Sequence, residues 1–503
     1  MTAPGPGAPP GGYAGREVWG ALIDGAFADA GDAATFAVME PATGRPIARV
    51  VGGDAGLVDR AVAAARRAFG PWRDTPPRER GRLLRLVAAK IRANAAELAE
   101  LEAREVGKPR RDAAAFDLSY CQAGYDYYAG LADTLHGEII DQGPIEARVL
   151  YEPYGVVAAI LPFNWPPIHF TKKCAPALAA GNTVIVKPGE QAPLTVLRLA
   201  ELANEVLPPG VLNAVPGAAA GPALAAHPGV ERITFTGATA TGRQVLRSAA
   251  ENLTYATMEL GGKNALMVLA DADLDAAVDV AVEGMFYNQG EACTSTARIL
   301  VHDSVHDEFL DRFARATGRL VVGDGLDPAT DIGPMVDAAQ RDQVLGYLRT
   351  GLGEGARLVM QGTLPDDERL RDGYWVPPVI LADVTPDMTI AQEEIFGPIA
   401  CVLRFRTEEE AIEICNGTAY GLTAAICTTD IARADQIARR LEAGMVFVNN
   451  YMRRAFLGSP FGGVKGSGFG RENAVETLHE FVRSKNIRFP SGRGQVPAWP
   501  PRD

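Results

Sequence analysis

Between residues 156 and 270 four short apolar runs alternate with helix-like stretches: VVAAILP (156–162), NTVIVKP (182–188), RITFTG (232–237) and NALMVLA (264–270). Segments such as LTVLRLAELANEVL, which separate the runs, space their apolar residues as a helix does. Short β-rich runs joined by helices predict a parallel sheet covered on both faces, because parallel neighbours need a crossover and the crossover helix packs on the sheet. This part of the chain is therefore expected to be an α/β domain of the nucleotide-binding kind.

A second series of the same character follows. ARILVHDSV, PVILADV, ACVLRF and GMVFVNN read as strands, and HDEFLDRFARATGRL reads as an amphipathic helix. Two sheet domains make a cleft. Ahead of both, VDRAVAAARRAFGPW and ERGRLLRLVAAKIRANAAELAELEAREVG carry helical spacing on either side of a DTPPR break, which predicts a helical hairpin between Asp54 and about Asp112. A chain of 503 residues exceeds what one core organises, so two or three domains are expected.

Composition narrows the function classes. The formal net charge of −13 argues against nucleic acid and against an anionic membrane surface as partners, since both require clustered positive charge. No apolar run reaches the roughly eighteen residues of a membrane span, and MTAPGPGAPPGGYAG at the N-terminus reads as a disordered tail. The six cysteines are scattered without CxxC spacing, which suggests neither a disulfide framework nor a metal site and fits a reducing cytoplasm.

One cysteine stands apart. In NQGEACTSTAR (288–298), Cys293 sits among small and polar residues just after a helix-like stretch that stops at Gly290. A lone cysteine is commonly a small buried hydrophobe, but this turn would let a substrate approach the thiol. A thiol nucleophile needs a base, and none of the six histidines lies in a motif that offers one. MELGGKN (258–264) offers Glu259 instead, followed by two glycines that suggest close backbone packing or ligand approach.

Three strand ends add to the picture. PFNWPP (162–167) places Asn164 at the carboxyl edge of the expected sheet, where its amide could donate to an oxyanion or simply cap a turn. VKPGE brings out Lys187 and Glu190 together, a cation and a carboxylate suited to ribose hydroxyls. In FTGATATG, Gly237 and Gly242 bracket a turn into a helix that can seat a pyrophosphate. The late KGSGFGRE looks like a dinucleotide loop but opens no βαβ unit.

Taken together, PFNW, VKPGE, FTGATATG, MELGGKN, FYNQGEACTSTAR, EEIFGP and SPFGGVKGSGFGREN resemble, in order, the NAD(P)-dependent aldehyde dehydrogenase superfamily, from about Gly20 to Phe489. The resemblance implies Cys293 as nucleophile, Glu259 as general base, and Asn164 with the Cys293 backbone N–H as oxyanion hole. It implies cofactor contacts from Trp165, Lys187, Glu190, Gly237, Ala238, Thr241, Gly242, Leu260, Glu394 and Phe396. The fold it implies is α/β, with a Rossmann-like cofactor domain (16–132 and 151–259), an α/β catalytic domain (260–481) and a small β oligomerisation hairpin (133–150 with 482–496). By analogy the chain forms a homodimer or homotetramer.

The implied reaction is oxidation of an aldehyde to the acid through a thiohemiacetal and a thioester. Glu190 would repel the 2′-phosphate of NADP, so NAD is the expected cofactor. Glu259 favours hydrolysis over transfer of the thioester to coenzyme A, the alternative outcome within the superfamily; a catalytically silent binding member of the fold is the other alternative. His169 and Lys172 fall where members of this family line the aldehyde tunnel, and Arg453 and Arg454 fall in the substrate-anchoring loop. Lys172 replaces an aromatic found in many members, which points to an aldehyde bearing a remote anionic group, such as a semialdehyde.

Overall fold

The computed structural model describes residues 16–28, 34–451, 457–496 and 499; the expected N-terminal tail lies outside them. The four runs that open the sequence pattern form strands Val156–Ile160, Thr183–Lys187, Arg232–Thr236 and Ala265–Val268. The first three join Leu212–Ala214 and Tyr255–Glu259 in a five-strand parallel core, ordered Tyr255–Glu259, Arg232–Thr236, Val156–Ile160, Thr183–Lys187, Leu212–Ala214. From Val156–Ile160 the chain runs outward to one side, then returns to build the other. The strand order therefore reverses between Val156–Ile160 and Arg232–Thr236, and the loops leaving these two strands diverge to open a crevice at the carboxyl edge. Asn164 and Gly237 sit in those two loops.

Ala265–Val268 belongs instead to a second, seven-strand sheet with Arg298–His302, Val379–Ala382, Ile399–Phe405, Thr423–Cys427 and Met445–Val448, all parallel, and an antiparallel edge strand, Arg357–Gln361. The passage between the two sheets is only the five residues 260–264. Its residues Gly262 and Asn264 lie against the Cys293 carbonyl, a few positions on from Glu259.

The helical region also differs from the sequence reading. The second helical block is broken into Pro77–Ala93 and Ala95–Val106, because Asn94 leaves helical geometry and its Nδ2 donates to the Lys90 carbonyl, ending the first helix as the second begins. KGSGFGRE opens no βαβ unit, as expected; Gly468–Phe469 adds an antiparallel edge to the first sheet, with Glu259 opposite Gly468. That pairing carries Arg471 and Glu472, from the far end of the chain, up to Glu259.

A separate three-strand antiparallel sheet is made by Glu138–Asp141, Ile145–Pro153 and Val482–Pro490, the last two paired from Val482↔Pro153 to Pro490↔Ile145. It leaves Ile139, Leu150 and Phe489 exposed. Among the described residues no helix is long and apolar enough to cross a membrane.

The helix Pro166–Ala179 holds the cleft in place. Pro166 and Pro167 start it, where a missing N–H costs nothing, and all fourteen of its residues are buried. Just beyond its end, fully buried Asn182 ties three segments together: its Oδ1 accepts from Gly155 N–H at 3.0 Å, and its Nδ2 donates to the carbonyls of Ala177 at 3.2 Å and Phe481 at 2.9 Å. Replacing it strands buried backbone groups. Asn182→Ala is expected to cost about 2–4 kcal/mol, seen in urea denaturation as a lower midpoint at unchanged slope.

Candidate active site

The helix Leu274–Phe286 ends short of Gly290, and the chain turns through Asn288 and Gln289 at φ 54° and 48°. These left-handed conformations are uncommon for such residues and are held by their surroundings. Cys293 follows in a turn that its neighbours grip from the backbone. Asn264 Nδ2 donates to the carbonyls of Cys293 at 2.8 Å and Ser295 at 2.9 Å, while its Oδ1 accepts from Thr423 N–H at 3.0 Å. The Tyr451 hydroxyl donates to the Thr294 carbonyl, and Ser295 Oγ to that of Gly290 at 3.2 Å. Cys293 is half-buried, whereas the other five cysteines are buried. It opens on a cavity of about 720 Å³ whose walls include Phe116, Tyr120, Trp165, Ile168, Phe447 and Phe461.

Asn164 meets the same turn. Its Nδ2 donates to the Glu291 carbonyl at 2.9 Å, and its Oδ1 lies 3.2 Å from His169 Nε2. An amide oxygen only accepts, so His169 must carry its proton on Nε2. Burial, with Lys172, Lys173 and Lys108 nearby, drives the imidazole pKa well down and keeps the ring neutral. His169 thus fixes which way the Asn164 amide faces. The Glu291 carboxyl anchors the turn from below, accepting from Val336 N–H at 3.1 Å and Gln289 Nε2 at 3.0 Å, and burial pushes it up to about 8.

Glu259, last residue of its strand, is 2 % exposed, and neither carboxyl oxygen has a hydrogen-bond partner among the described residues. Burial raises its pKa well above the carboxylate range, and Glu472 adds to the shift; Lys172, Lys173 and Arg471 oppose it. Lys173 Nζ lies 2.8 Å from Glu472 Oε1, and Lys172 Nζ lies 3.6 Å from Glu472 Oε2. Although burial works against it, Glu472 is held below the usual range by these two lysines. Lys172 also stacks on Phe461, 3.4 Å from the ring centroid, and lines the cavity beside His169. His169 and Lys172, three apart, share a helix face. Arg453 and Arg454 lie outside the described residues.

At the crevice edge the Lys187 ammonium is bonded to Glu190. The helix Thr239–Glu251 starts after Gly237 and Ala238 with no side-chain cap, so its first N–H groups face outward beside exposed Thr241. An uncapped helix start at a parallel sheet's switch point suits a phosphate, and a cation with a carboxylate one strand over suits a ribose. These residues fit a dinucleotide. Gly242 serves packing as well, since a Cβ there would come within 2.6 Å of the Leu260 side chain. Glu394 is half-buried, accepts from Gly262 N–H at 3.0 Å and is pushed up to about 7 by desolvation; Phe396, at φ 56°, meets Phe163 edge-on. The Trp165 side chain points toward the cavity on which Cys293 opens. It packs with Phe116, Tyr120, Ile168 and Ala292, its ring 5.5 Å from the Lys108 ammonium.

Sequence reasoning did not single out Asn264, Glu291, Tyr120, Phe116 or Glu472. Asn264 closes the quoted MELGGKN, and an amide directly ahead of a strand was the available signal. Phe116 and Tyr120 are spaced four apart where a π-helical turn, Ala113–Leu118, precedes the helix Ser119–Leu131.

The chain matches the pattern of the aldehyde dehydrogenase family over residues 27–487. It is 48% identical over 468 residues to aldehyde dehydrogenase citD of Monascus ruber, covering 92% of this chain and 93% of that one. To betaine aldehyde dehydrogenase 1 of Rhizobium meliloti it is 41% identical over 479 residues, 95% and 98% of the two chains. Among solved structures, betaine aldehyde dehydrogenase of Staphylococcus aureus in complex with NAD+ superposes with a TM-score of 0.92 at 36% identity, over 95% of this chain and 96% of that one. A half-buried cysteine gripped at the mouth of an apolar cavity, with a dinucleotide-shaped crevice beside it, thus belongs to a chain of known kind: this protein is a member of the aldehyde dehydrogenase family, an oxidoreductase acting on aldehydes.

Proposed function

We propose that the protein oxidises an aldehyde to the free carboxylic acid with NAD, using Cys293 as nucleophile, Asn164 as oxyanion donor and Glu259 as the base for hydrolysis. The observation that carries this reading is the Asn164 amide bound to the carbonyl two residues before Cys293, which holds donor and thiol on one turn. The Cys293 thiolate attacks the aldehyde carbon, and the Asn164 amide with the Cys293 backbone N–H steadies the alkoxide of the thiohemiacetal. Lys187 and Glu190, the Gly237–Gly242 turn, Glu394 and Phe396 would hold the dinucleotide. When bound, it supplies the two-electron acceptor that makes the thioester. Glu259 then takes a proton from water as the water oxygen bonds to the acyl carbon and the thiolate leaves.

Cys293→Ala is expected to abolish NADH formation, and Asn164→Ala to lower kcat by roughly 10²–10³. Glu259→Gln should give a burst of NADH with no steady turnover, and coenzyme A should not be consumed. An acyl-CoA product would overturn the hydrolytic reading. Glu190 supports NAD over NADP, since its carboxylate would face the 2′-phosphate; being more than one-third exposed, it gives a screened and moderate preference. Glu190→Ser is expected to narrow the ratio of kcat/KM for the two cofactors several-fold.

The cavity's aromatic and aliphatic walls support an aldehyde with an apolar or aromatic body. An acid-bearing aldehyde has one supporting observation, Lys172 at the cavity wall, but that ammonium already faces Glu472 and stacks on Phe461. Benzaldehyde and hexanal are expected to exceed succinic semialdehyde in kcat/KM; the reverse order would favour the anionic substrate. Exposed Ile139, Leu150 and Phe489 on the three-strand sheet support a homodimer or homotetramer, and six cysteines outside any disulfide suit the cytoplasm.

A further inference from the structure

Two lysines stand side by side on the helix Pro166–Ala179, both buried, and among the described residues only Lys173 is seen to donate hydrogen bonds. Lys173 reaches Glu472 at 2.8 Å and Thr234 Oγ1 at 3.1 Å. Lys172, 5 % exposed, lies 3.6 Å from the other Glu472 oxygen, beyond hydrogen-bond range, with its ammonium over the Phe461 ring. One carboxylate cannot balance two buried ammonium groups, and an unbalanced buried charge is costly. The cation–π contact offsets part of that cost but adds no negative charge.

Glu259 is the other acid of this cluster. Its Oε1 sits against Gly462, where a Cβ would come within 2.9 Å, and Gly462 follows Phe461 directly. The remaining cation, Arg471, is half-buried and gives hydrogen bonds to the carbonyls of Gly463 at 3.0 Å and Gly470 at 2.7 Å. Two buried lysines and two buried carboxylates come out even only when Glu259 is ionised.

We propose that Lys172 is the counter-charge of Glu259, a positioning residue that lets the buried base ionise and so sets the pH at which the thioester is hydrolysed. This rests on Glu259 being that base. Burial and Glu472 push the Glu259 carboxyl up, and Lys172 is the foremost of the groups pulling it down, ahead of Lys173 and Arg471. The sign is fixed: the base form exists only above the raised pKa, so losing Lys172 moves the acidic limb of hydrolysis to higher pH, and the lost rate returns as pH rises.

The test reads hydrolysis without the cofactor. Cys293 is acylated with p-nitrophenyl acetate, and loss of the acetyl mass is followed by mass spectrometry across pH in wild type, Lys172→Met and Lys172→Arg. Because acetyl carries no charge, any effect of Lys172 cannot come from a substrate carboxylate. The midpoint for Lys172→Met is expected to lie higher than wild type by about one pH unit or more, with Lys172→Arg close to wild type. A midpoint unchanged in Lys172→Met, or a rate lowered equally at every pH, overturns the proposal. If Lys172→Met does not fold, Lys172→Gln is read by the same two outcomes. Failure of wild-type Cys293 to acylate would instead defeat its reading as nucleophile.

Discussion

Five residues, 260–264, connect the last parallel strand of one sheet to a central strand of the other, and the site depends on how tightly other groups close around them. Leu260 N–H donates to the Ser467 carbonyl, Ser467 Oγ to that of Gly261, Gly262 N–H to Glu394, and Asn264 to the carbonyl of Cys293. A Cβ on Gly261 would come within 2.1 Å of Glu394 Oε2, and one on Gly262 within 2.6 Å of the Cys293 carbonyl oxygen. These glycines are required by approach distance. With any side chain there, either the thiol turn or the carboxylate that faces the dinucleotide crevice would have to move.

Burial acts alike on the three carboxyls around this link, and their partners separate them. Glu291 accepts hydrogen bonds on both oxygens and Glu394 accepts one, so each is tied to a backbone N–H that it holds in place. Glu259 accepts none among the described residues. Its lone pairs are left for a mobile proton, at the cost of a carboxylate that water no longer stabilises. Such a group works as a base only if charge elsewhere offsets that loss, and the lysines on Pro166–Ala179 are placed to supply it.

What could be read from the chain follows from how local each signal is. The strands appeared as contiguous β-rich runs, and the residues at their carboxyl ends, Asn164, Lys187, Gly237 and Glu259, could be placed because a parallel sheet gathers those ends on one edge. Contacts between remote segments were not legible. Glu472 reaches Glu259 only because Gly468–Phe469 pairs as an edge strand, and two residues of edge strand have no periodicity to detect. Lys172 showed itself as an unusual residue, but its partner lay hundreds of positions away, so its charge was read toward a substrate. The break at Asn94 was hidden because apolar spacing continues through it.

The helix Pro166–Ala179 joins the two halves of the chemistry into one rigid part. Asn164 leads into its first turn, His169 orients that amide from one turn further, and Lys172 and Lys173 meet Glu472 a turn beyond. Every residue of the helix is buried, and interiors packed to this degree transmit small displacements instead of absorbing them. In the proposed reaction, a tilt that improved the oxyanion contact would therefore shift the ammonium groups proposed to balance the base. Steric change on this helix should disturb aldehyde addition and thioester hydrolysis together, whereas a change of charge alone at position 172 should be felt by the second step, which is why the two can be told apart by their response to pH.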